Sequence, residues 1–348
     1  MKAITVMPAK STHAEVIDVD EPAASAHTLL VAGHVLGVCG TDAEIVAGYH
    51  GAAPPGRDRL ILGHESLGEV LDAPRGSGFA PGDRVVGIVR RPDPKPCEPC
   101  ASGEWDFCRN GLYTEHGIKE LDGFGSQLWR IEPEYAVSVP GELGDCAVLT
   151  EPTAVAVKAW EQVAQMTSRA RFVPTTVLVT GAGPIGLLAA LLGTQRGYEV
   201  HVLDRVEEGL KPTLVSQLGA TYHSGDVRDL TIRPDIVIDT TAAAELVMAL
   251  PLLVAPNGVV CLTGFPASRS TVPTNLDEIN REMVMSNIVV FGSINANRRH
   301  FAHAVESLAS AELSWLQRLI TQTVPMERFD AALHKKPDDI KTVVDLRL

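Results

Sequence analysis

Residues 175–205, TTVLVTGAGPIGLLAALLGTQRGYEVHVLDR, decide the fold of this chain. An apolar run leads into a group of glycines, a longer apolar run follows, and a third run ends at Asp204. This order predicts a strand, a tight turn, a helix and a second strand, the first βαβ unit of a doubly wound parallel sheet. Continuous Val- and Ile-rich runs at 235–241, 258–264 and 287–293 predict further strands that are covered on both faces.

The glycines of this stretch follow the pattern G-x-G-x-x-G at residues 181–186. The pattern is weak alone, but here it follows a predicted strand and opens a predicted helix, as dinucleotide binding requires. Gly181 permits the tight turn, Gly183 lets a pyrophosphate approach, and Gly186 allows close packing of helix and strand. Pro184 and Ile185 begin the helix, whose first amides favour an anion. The alternative is an ordinary glycine turn.

Asp204 stands at the end of the second strand, about twenty residues into the unit. A carboxylate at this point accepts hydrogen bonds from the adenosine ribose and repels a 2′-phosphate, so we expect NAD to be preferred over NADP. Arg205 follows directly and can stack on adenine or meet a phosphate, which keeps NADP open as a cofactor.

The first half of the chain consists of short alternating runs separated by glycine and proline, a pattern typical of strands and turns. The predicted strands lie at residues 4–8, 28–38, 66–73, 83–89 and 134–140. We expect them to form a compact, barrel-like domain.

The end of the chain is expected to return to this first domain. Helical spacing appears at residues 153–166 and 300–320, and residues 341–348 predict a final strand. We therefore predict an α/β protein with a discontinuous β-rich catalytic domain, residues 1–155 and 300–348, and a dinucleotide-binding domain, residues 156–299.

Four side chains of the first half offer one thiolate, one imidazole and two carboxylates, the donor set of an open catalytic zinc. They are Cys39, His64, Glu65 and Glu151. Zinc at such a site lowers the pKa of a bound hydroxyl, so that hydride can leave for a nicotinamide. Thr41 is placed to relay the hydroxyl proton, and Thr41 and Glu65 are the predicted catalytic side chains. Taken singly, Cys39 and His64 are more often a buried core thiol and a satisfied interior histidine.

A second metal candidate is the spacing of Cys97, Cys100 and Cys108 in a segment rich in proline and glycine. A structural zinc normally has four ligands, and Asp93 is the predicted fourth. The alternative, given equal weight, is a lobe that binds no metal.

The composition excludes several functional classes. Lysine and arginine number 30 against 43 acidic residues, a formal net charge of −13, which argues against a nucleic-acid partner. The N-terminal segment has no long apolar run, and no apolar run is long enough to span a bilayer, so neither secretion nor a membrane is expected. Six cysteines are too few for a disulfide scaffold and favour a cytoplasmic enzyme.

With these residues the chain resembles the zinc-containing medium-chain dehydrogenases, and within them the glucose 1-dehydrogenase branch, over its full length. Segments that carry the resemblance include C-G-T-D at 39–42, G-H-E at 63–65, E-P-T at 151–153 and G-S-I-N at 292–295. The resemblance implies a GroES-like catalytic domain joined to a Rossmann domain. It also implies oxidation of an aldose at C1 to its lactone by an enzyme that is usually dimeric or tetrameric.

The resemblance further implies roles for particular residues. It gives Cys39, His64, Glu65 and Glu151 as zinc positions, of which three may bind the metal at one time. Positions that contact sugar hydroxyls are Thr41, Glu115, Glu151 and Asn295. Positions that line the nicotinamide are Leu262, Thr263, Gly264, Ser293, Ile294 and Asn295.

Three departures from the family pattern leave alternatives open. The cysteine lobe has three cysteines instead of four, Val155 replaces an aspartate that contacts the sugar in some relatives, and Asp204 stands where NADP-preferring relatives are neutral or basic. The alternatives are a polyol, inositol-type or amino-alcohol dehydrogenase on the same scaffold, and a non-catalytic protein that keeps only cofactor binding.

Overall fold

The computed structural model describes residues 1–266, 271–334, 336 and 338–347. The chain divides into two compact units, of which the first combines Met1–Ala154 with Asn295–Leu348 and the second is Val155–Ile294. The domain borders that the sequence predicts, 155/156 and 299/300, stay predictions.

The strands, in chain order, are β1 (Lys2–Val6), β2 (Glu15–Asp18), β3 (Leu29–Gly37), β4 (Leu60–Ile61), β5 (Glu65–Asp72), β6 (Arg84–Gly87), β7 (Arg90–Arg91), β8 (Thr114–His116), β9 (Glu120–Leu121), β10 (Leu128–Ile131), β11 (Ala136–Ser138), β12 (Thr176–Thr180), β13 (Glu199–Asp204), β14 (Thr221–Ser224), β15 (Ile236–Asp239), β16 (Val259–Leu262), β17 (Val289–Gly292), β18 (Ile320–Pro325) and β19 (Lys341–Asp345). The α-helices are α1 (Gly40–Val46), α2 (Glu98–Ala101), α3 (Thr150–Thr167), α4 (Pro184–Gln195), α5 (Leu210–Gln217), α6 (Ala244–Leu253), α7 (Leu276–Met285), α8 (Arg298–Ala309), α9 (Leu313–Leu319) and α10 (Phe329–Ala332). Short 3₁₀ helices lie at Trp105–Phe107, Pro133–Tyr135, Gly141–Leu149, Val227–Asp229 and Met326–Arg328.

The first unit is built around a seven-stranded sheet in the order β11-β6-β5-β3-β19-β18, with β10 also paired to β3. Its strands are antiparallel except for β18 and β19, which run parallel. Two smaller sheets, β2-β1-β4 and β7-β8-β9, complete the β-rich part. The strands predicted in the first half are confirmed, and β19 packs on β3 as predicted for the end of the chain.

The core of this unit follows from the alternation along β3. Leu29 and Val31 are fully buried, and they join side chains of β1, β4 and β5 such as Ile4, Leu60 and Val70 in one apolar cluster. Each such residue contributes about 1.5–3 kcal/mol through burial. At the end of β3 the alternation stops, and Gly37 lies directly opposite Glu65 of β5.

The second unit contains a six-stranded parallel sheet in the order β14-β13-β12-β15-β16-β17. Strand β15 is buried along its whole length, and the predicted βαβ unit is confirmed as β12, α4 and β13. The strand order reverses between β12 and β15, and ligands of such sheets bind at the carboxyl ends of strands at a reversal point. The glycine turn follows β12 at this point.

One predicted element differs from the structure. The helical pattern over 300–320 is two helices, α8 and α9, separated by a turn at residues 310–312. Both halves bury their apolar residues at compatible spacing: Phe301, Ala304 and Leu308 in α8, then Trp315 and Leu319 in α9. Continuous spacing therefore concealed the break. None of the helices in the described ranges is both long and apolar enough to cross a bilayer.

Replacement of Gly186 by alanine tests the glycine turn. A Cβ at Gly186 would stand 1.8 Å from the carbonyl oxygen of Gly181, so the backbone must move. We expect Gly186→Ala to lower the free energy of unfolding by about 2–3 kcal/mol. The matched control is Gly183→Ala, because a Cβ there meets no atom within 4 Å. Urea denaturation of the two variants and the parent protein decides the point, and equal stabilities would contradict the packing described.

Candidate active site

Three of the four predicted zinc donors come together at one end of the seven-stranded sheet. Cys39 caps the N-terminus of α1, and His64 and Glu65 stand where β5 begins. One donor atom from each of these residues lies within 4.8 Å of the others. His64 and Glu65 are almost completely buried, and the Cys39 side chain is partly buried.

Asp42 and Thr41, both on α1, support this cluster. The Asp42 carboxylate accepts a hydrogen bond from the Cys39 backbone N–H at 2.9 Å, and its other oxygen lies 3.5 Å from His64 Nδ1. Burial lowers the pKa of His64, but the Asp42 carboxylate and the neighbouring Cys39 oppose it and hold that pKa well above its ordinary value. Thr41 Oγ1 lies 3.8 Å from Cys39 Sγ, so the predicted proton-relay residue stands beside a predicted ligand.

Glu151, the fourth predicted donor, lies in the first turn of α3 and is partly buried. Among the described residues it does not belong to the set of mutually close donor atoms. Its pKa nevertheless depends on their charges: burial raises the pKa of Glu151 to about 7, while His64 lowers this pKa and Glu65 raises it. The structure thus places Glu151 beside the cluster of three.

Lys341 is a component that the sequence analysis missed. It is the first residue of β19, its side chain is 2% exposed, and its ammonium pairs with Glu65 Oε2. The same ammonium donates a hydrogen bond to the Val38 carbonyl at 3.1 Å. In the sequence, Lys341 is visible only as a lysine at the start of the apolar run KTVVDL. That pattern does not show that Glu65 is its partner.

The donor set fits zinc on the chemistry of its side chains. A thiol, an imidazole and a carboxylate are the ligands that catalytic zinc combines with one open position. His64 Nδ1 lies 3.5 Å from the buried carboxylate of Asp42, which is the kind of outer support that a metal-binding histidine normally has. We conclude that Cys39, His64 and Glu65 are able to hold the metal.

Two predicted sugar-contact residues, Glu115 and Asn295, are hydrogen-bonded to each other. Glu115 lies on β8 and Asn295 follows β17, with Asn295 Nδ2 donating to Glu115 Oε1 at 2.7 Å. Asn295 has a φ of +65°, a left-handed conformation that asparagine tolerates better than most residues. Arg90 of β7 pairs with the same carboxylate, and the sequence analysis did not assign it a role.

The three clustered cysteines of the lobe also come together, each with a free thiol. Cys97 Sγ accepts a hydrogen bond from the Arg109 backbone N–H, and such bonds lower the pKa of Cys97 to about 7. Asp93, the predicted fourth ligand, is not part of this cluster within the described residues. Its carboxylate instead accepts hydrogen bonds from the Lys95 N–H and from Asn110 Nδ2, both at 2.7 Å.

The glycine turn of the second unit forms a cradle, lined by backbone, at the start of α4. Gly181 has a φ of +93°, and Gly183 precedes Pro184, the first residue of α4. The space beside Gly183, which a Cβ would enter without touching any atom within 4 Å, suits a pyrophosphate that approaches the backbone. Ile185 and Gly186 follow in the first turn, where amide groups favour an anion.

Asp204 ends β13 next to this turn. One carboxylate oxygen accepts from the Ala182 N–H at 2.6 Å, the other from the Val206 N–H at 3.1 Å. Lys211 Nζ lies 3.3 Å from both oxygens, a contact that the sequence analysis missed. Burial raises the pKa of Asp204, but these hydrogen bonds and Lys211 outweigh it and keep the pKa below its ordinary value. Arg205 is exposed.

The strand ends beside the glycine turn are held by Asp239. Its backbone carbonyl accepts from the N–H groups of Thr263 and Gly264, at 2.8 and 3.1 Å, which fixes the loop that Leu262 begins. Ser293 follows β17, and its N–H donates to the Leu262 carbonyl at 2.9 Å. Ile294 is exposed. The structure thus gathers the predicted Leu262–Gly264 and Ser293–Ile294 segments at the carboxyl ends of β16 and β17.

Comparison with known proteins agrees with this architecture. Residues 144–346 match the family described as "Glucose dehydrogenase C-terminus", and residues 25–141 match "Alcohol dehydrogenase GroES-like domain". The chain belongs to the glucose dehydrogenase family. This result confirms the predicted membership in the zinc-containing medium-chain dehydrogenases, and the predicted fold class of a GroES-like domain with a Rossmann sheet.

The relatives cover the whole length of the chain. The glucose 1-dehydrogenase of Methanocella arvoryzae is 36% identical and that of Thermoproteus tenax 38% identical, with 99% and 100% of this chain covered and the same shares of those proteins. The solved glucose dehydrogenase of Haloferax mediterranei, in complex with NADP, Zn and gluconolactone, is 31% identical with a TM-score of 0.91. That similarity covers 99% of both chains.

Replacement of Gly37 by alanine tests the metal cluster through its packing. A Cβ at Gly37 would stand 2.0 Å from Glu65 Oε2, so the carboxylate must move away from Lys341 and the other donors. Because altered ligand support typically costs metal affinity 10–100-fold, we expect at least about a tenfold loss of zinc affinity. Equilibrium competition with a zinc-binding dye measures it. Gly141→Ala is the control, since a Cβ there meets no atom within 4 Å, and equal affinities would exclude a role for Glu65 in holding zinc.

Proposed function

We propose that this protein oxidises an aldose, D-glucose or a close relative, at C1 to the lactone, with hydride transfer to NAD(P)⁺. The observation that carries the proposal is the buried cluster of Cys39, His64 and Glu65 in a chain of the glucose dehydrogenase family. The Haloferax mediterranei relative, which contains Zn, NADP and gluconolactone, supports the same cofactors and substrate class for this chain.

The proposed mechanism assigns a task to each part of the site. Zinc, when bound by Cys39, His64 and a carboxylate from Glu65 or Glu151, acts as a Lewis acid toward the C1 hydroxyl. Thr41, whose hydroxyl lies beside Cys39, relays the proton that leaves the substrate hydroxyl: its oxygen accepts that proton while its own O–H proton passes to water. The buried ammonium of Lys341 pairs with the Glu65 carboxylate and offsets one negative charge of the ligand set.

Sugar binding is assigned to Glu115, Asn295 and Glu151. A polyhydroxyl substrate loses its hydration on binding, so the site must supply acceptors and donors to match its hydroxyls. Glu115 and Asn295 form a linked acceptor–donor pair that suits such a substrate better than a simple alcohol. The same pair is compatible with a polyol or inositol-type substrate, which the assay below separates from an aldose.

The first test is an assay of nicotinamide reduction with D-glucose, D-galactose, D-xylose, sorbitol and L-threonine, before and after removal of metal. We expect chelator-sensitive turnover of an aldose, restored by zinc. Turnover of sorbitol or threonine alone would replace the aldose by a polyol or amino alcohol. Binding of NADH without zinc and without turnover of any substrate would favour the non-catalytic alternative.

For the nucleotide, we propose that NAD is preferred and NADP accepted. Asp204 favours a ribose diol, while Lys211 and the exposed Arg205 bring positive charge near the place of a 2′-phosphate. The NADP in the Haloferax mediterranei relative supports acceptance of the phosphorylated cofactor.

Lys211→Met tests this balance of charge. Without the ammonium, only Arg205 offsets the repulsion between the Asp204 carboxylate and a 2′-phosphate. The affinity for NADPH is therefore expected to fall about tenfold or more while that for NADH changes little. Fluorescence titrations of both reduced cofactors give the ratio. Lys10→Met, which removes an exposed lysine paired with Asp58, is the matched control. An unchanged ratio would contradict the role of Lys211.

Further assignments stay predictions. We propose that Cys97, Cys100 and Cys108 hold a second, structural zinc, which metal analysis of the purified protein would report as two ions per chain instead of one. Asp93 stays the predicted fourth ligand, and the hydrogen bonds that its carboxylate accepts from Lys95 and Asn110 are of the kind that support a metal-binding carboxylate. A homo-oligomeric state, dimer or tetramer, and a cytoplasmic location are likewise predicted.

A further inference from the structure

Arg90 is a buried cation whose hydrogen bonds converge on one predicted sugar contact. It is 5% exposed, and its guanidinium lies over the ring of Tyr113 at 3.7 Å. Nε and Nη2 lie 3.0 and 2.9 Å from Glu115 Oε1, while Nη1 donates to the Asp106 carbonyl at 3.4 Å. The position of Arg90 is therefore fixed on several sides.

The two oxygens of the Glu115 carboxylate consequently differ. Oε1 faces three donors, which are Nε and Nη2 of Arg90 and Nδ2 of Asn295. Oε2 makes no hydrogen bond within the described residues, although Glu115 itself is only 8% exposed. Oε2 is not one of the fully buried atoms that lack a partner, so this oxygen is accessible. An accessible carboxylate oxygen that no protein donor occupies is free to accept a hydrogen bond from a ligand.

The side-chain amide of Asn295 is also fixed by hydrogen bonds, and it keeps one donor where Glu115 keeps one acceptor. Its Oδ1 accepts from the Ala296 N–H at 2.8 Å, and one N–H of Nδ2 is used by Glu115. The second N–H of Nδ2 is left as a donor. One acceptor and one donor, fixed side by side, match the hydroxyl groups of a sugar, each of which can both donate and accept.

We propose that Arg90 is a positioning residue that sets sugar specificity by fixing Glu115 so that Oε2 is presented only as an acceptor for a substrate hydroxyl. The inference rests on the proposed function, since it concerns the same sugar site. It goes beyond that function because it attributes the discrimination among sugars to a residue that itself touches no substrate.

The planar fork of arginine is essential to this role. Two of its nitrogens bind one oxygen in a fixed plane, whereas a lysine ammonium is a single point charge on a flexible stem. Arg90→Lys therefore keeps the charge that neutralises Glu115 but releases its orientation. Arg91→Lys is a closely matched control, because Arg91 is the next residue of β7, lies over Tyr135 and pairs with Glu132, which is not a predicted sugar contact.

The experiment compares the parent, Arg90→Lys and Arg91→Lys with D-glucose and its 2-, 3-, 4- and 6-deoxy analogues at saturating cofactor. A hydrogen bond to a charged acceptor is worth about tenfold to a hundredfold. We expect the parent to reject at least one deoxy sugar by that factor. In Arg90→Lys the rejection should fall to within about threefold, because KM for glucose rises while kcat and KM for the cofactor hardly change. Arg91→Lys should keep the parental pattern.

Glu115→Gln provides a second test that does not depend on the folding of Arg90→Lys. Since Arg90 and Asn295 present only donors to it, the amide carbonyl must face them, and the NH₂ group takes the place of Oε2. The sugar hydroxyl can then only accept a neutral hydrogen bond from this NH₂ group, so the disadvantage of the same deoxy sugar should shrink by about tenfold. Intrinsic fluorescence and thermal midpoints of all variants confirm folding.

Each of the other possible results would overturn the positioning role of Arg90 or the proposed function on which it rests. Parental discrimination in Arg90→Lys or Glu115→Gln would overturn the positioning role. So would a uniform loss of kcat/KM for all sugars in these variants, because that indicates general damage. A parent enzyme that oxidises glucose without discriminating among the deoxy analogues would also overturn the inference alone. A parent that oxidises no aldose would overturn the proposed function and the inference with it.

Discussion

The pairing of β3 with two strands, β5 on one side and β19 on the other, determines the chemistry of the first unit. Register places Gly37 opposite Glu65 and next to Val343, so that Glu65 and Lys341 approach over a residue without a side chain. A buried carboxylate and a buried ammonium are each costly alone and tolerable only together. The strand register therefore creates both the need for this ion pair and the means to satisfy it.

The second unit also depends on a buried charged group, which here is a single carboxylate and not an ion pair. Asp239 is buried, and its side chain accepts hydrogen bonds from Thr180, Thr241 and Ala242, while its backbone carbonyl accepts from the loop after β16. These bonds join the ends of β12, β15 and β16. Because bonds within the protein hold these segments, nucleotide binding would cost less conformational entropy than it would if the segments had to be ordered.

The sequence predicted the fold and the principal donors because these features are local. Period-two and period-3.6 patterns specify strands and helices, and the glycine turn specifies its own backbone conformation. Cys39 and His64 could be found because few residue types bind zinc. Lys341 and Arg90 could not be found, since their importance comes from partners that are 276 and 25 residues distant along the chain. For Asp93, the predicted fourth ligand of the cysteine lobe, the sequence did not show that Lys95 and Asn110 donate hydrogen bonds to its carboxylate. The break between α8 and α9 has no glycine or proline to mark it.

The discontinuity of the first unit has a consequence for the order of events during biosynthesis. Its first segment emerges from the ribosome long before β18 and β19. The edge of β3 that pairs with β19 therefore stays open while the whole second unit is made. The second unit is continuous in sequence and has its complete sheet at that stage. Lys341 is among the last residues to be synthesised, so a nascent chain that stalls before residue 341 cannot form the ion pair that neutralises the buried Glu65.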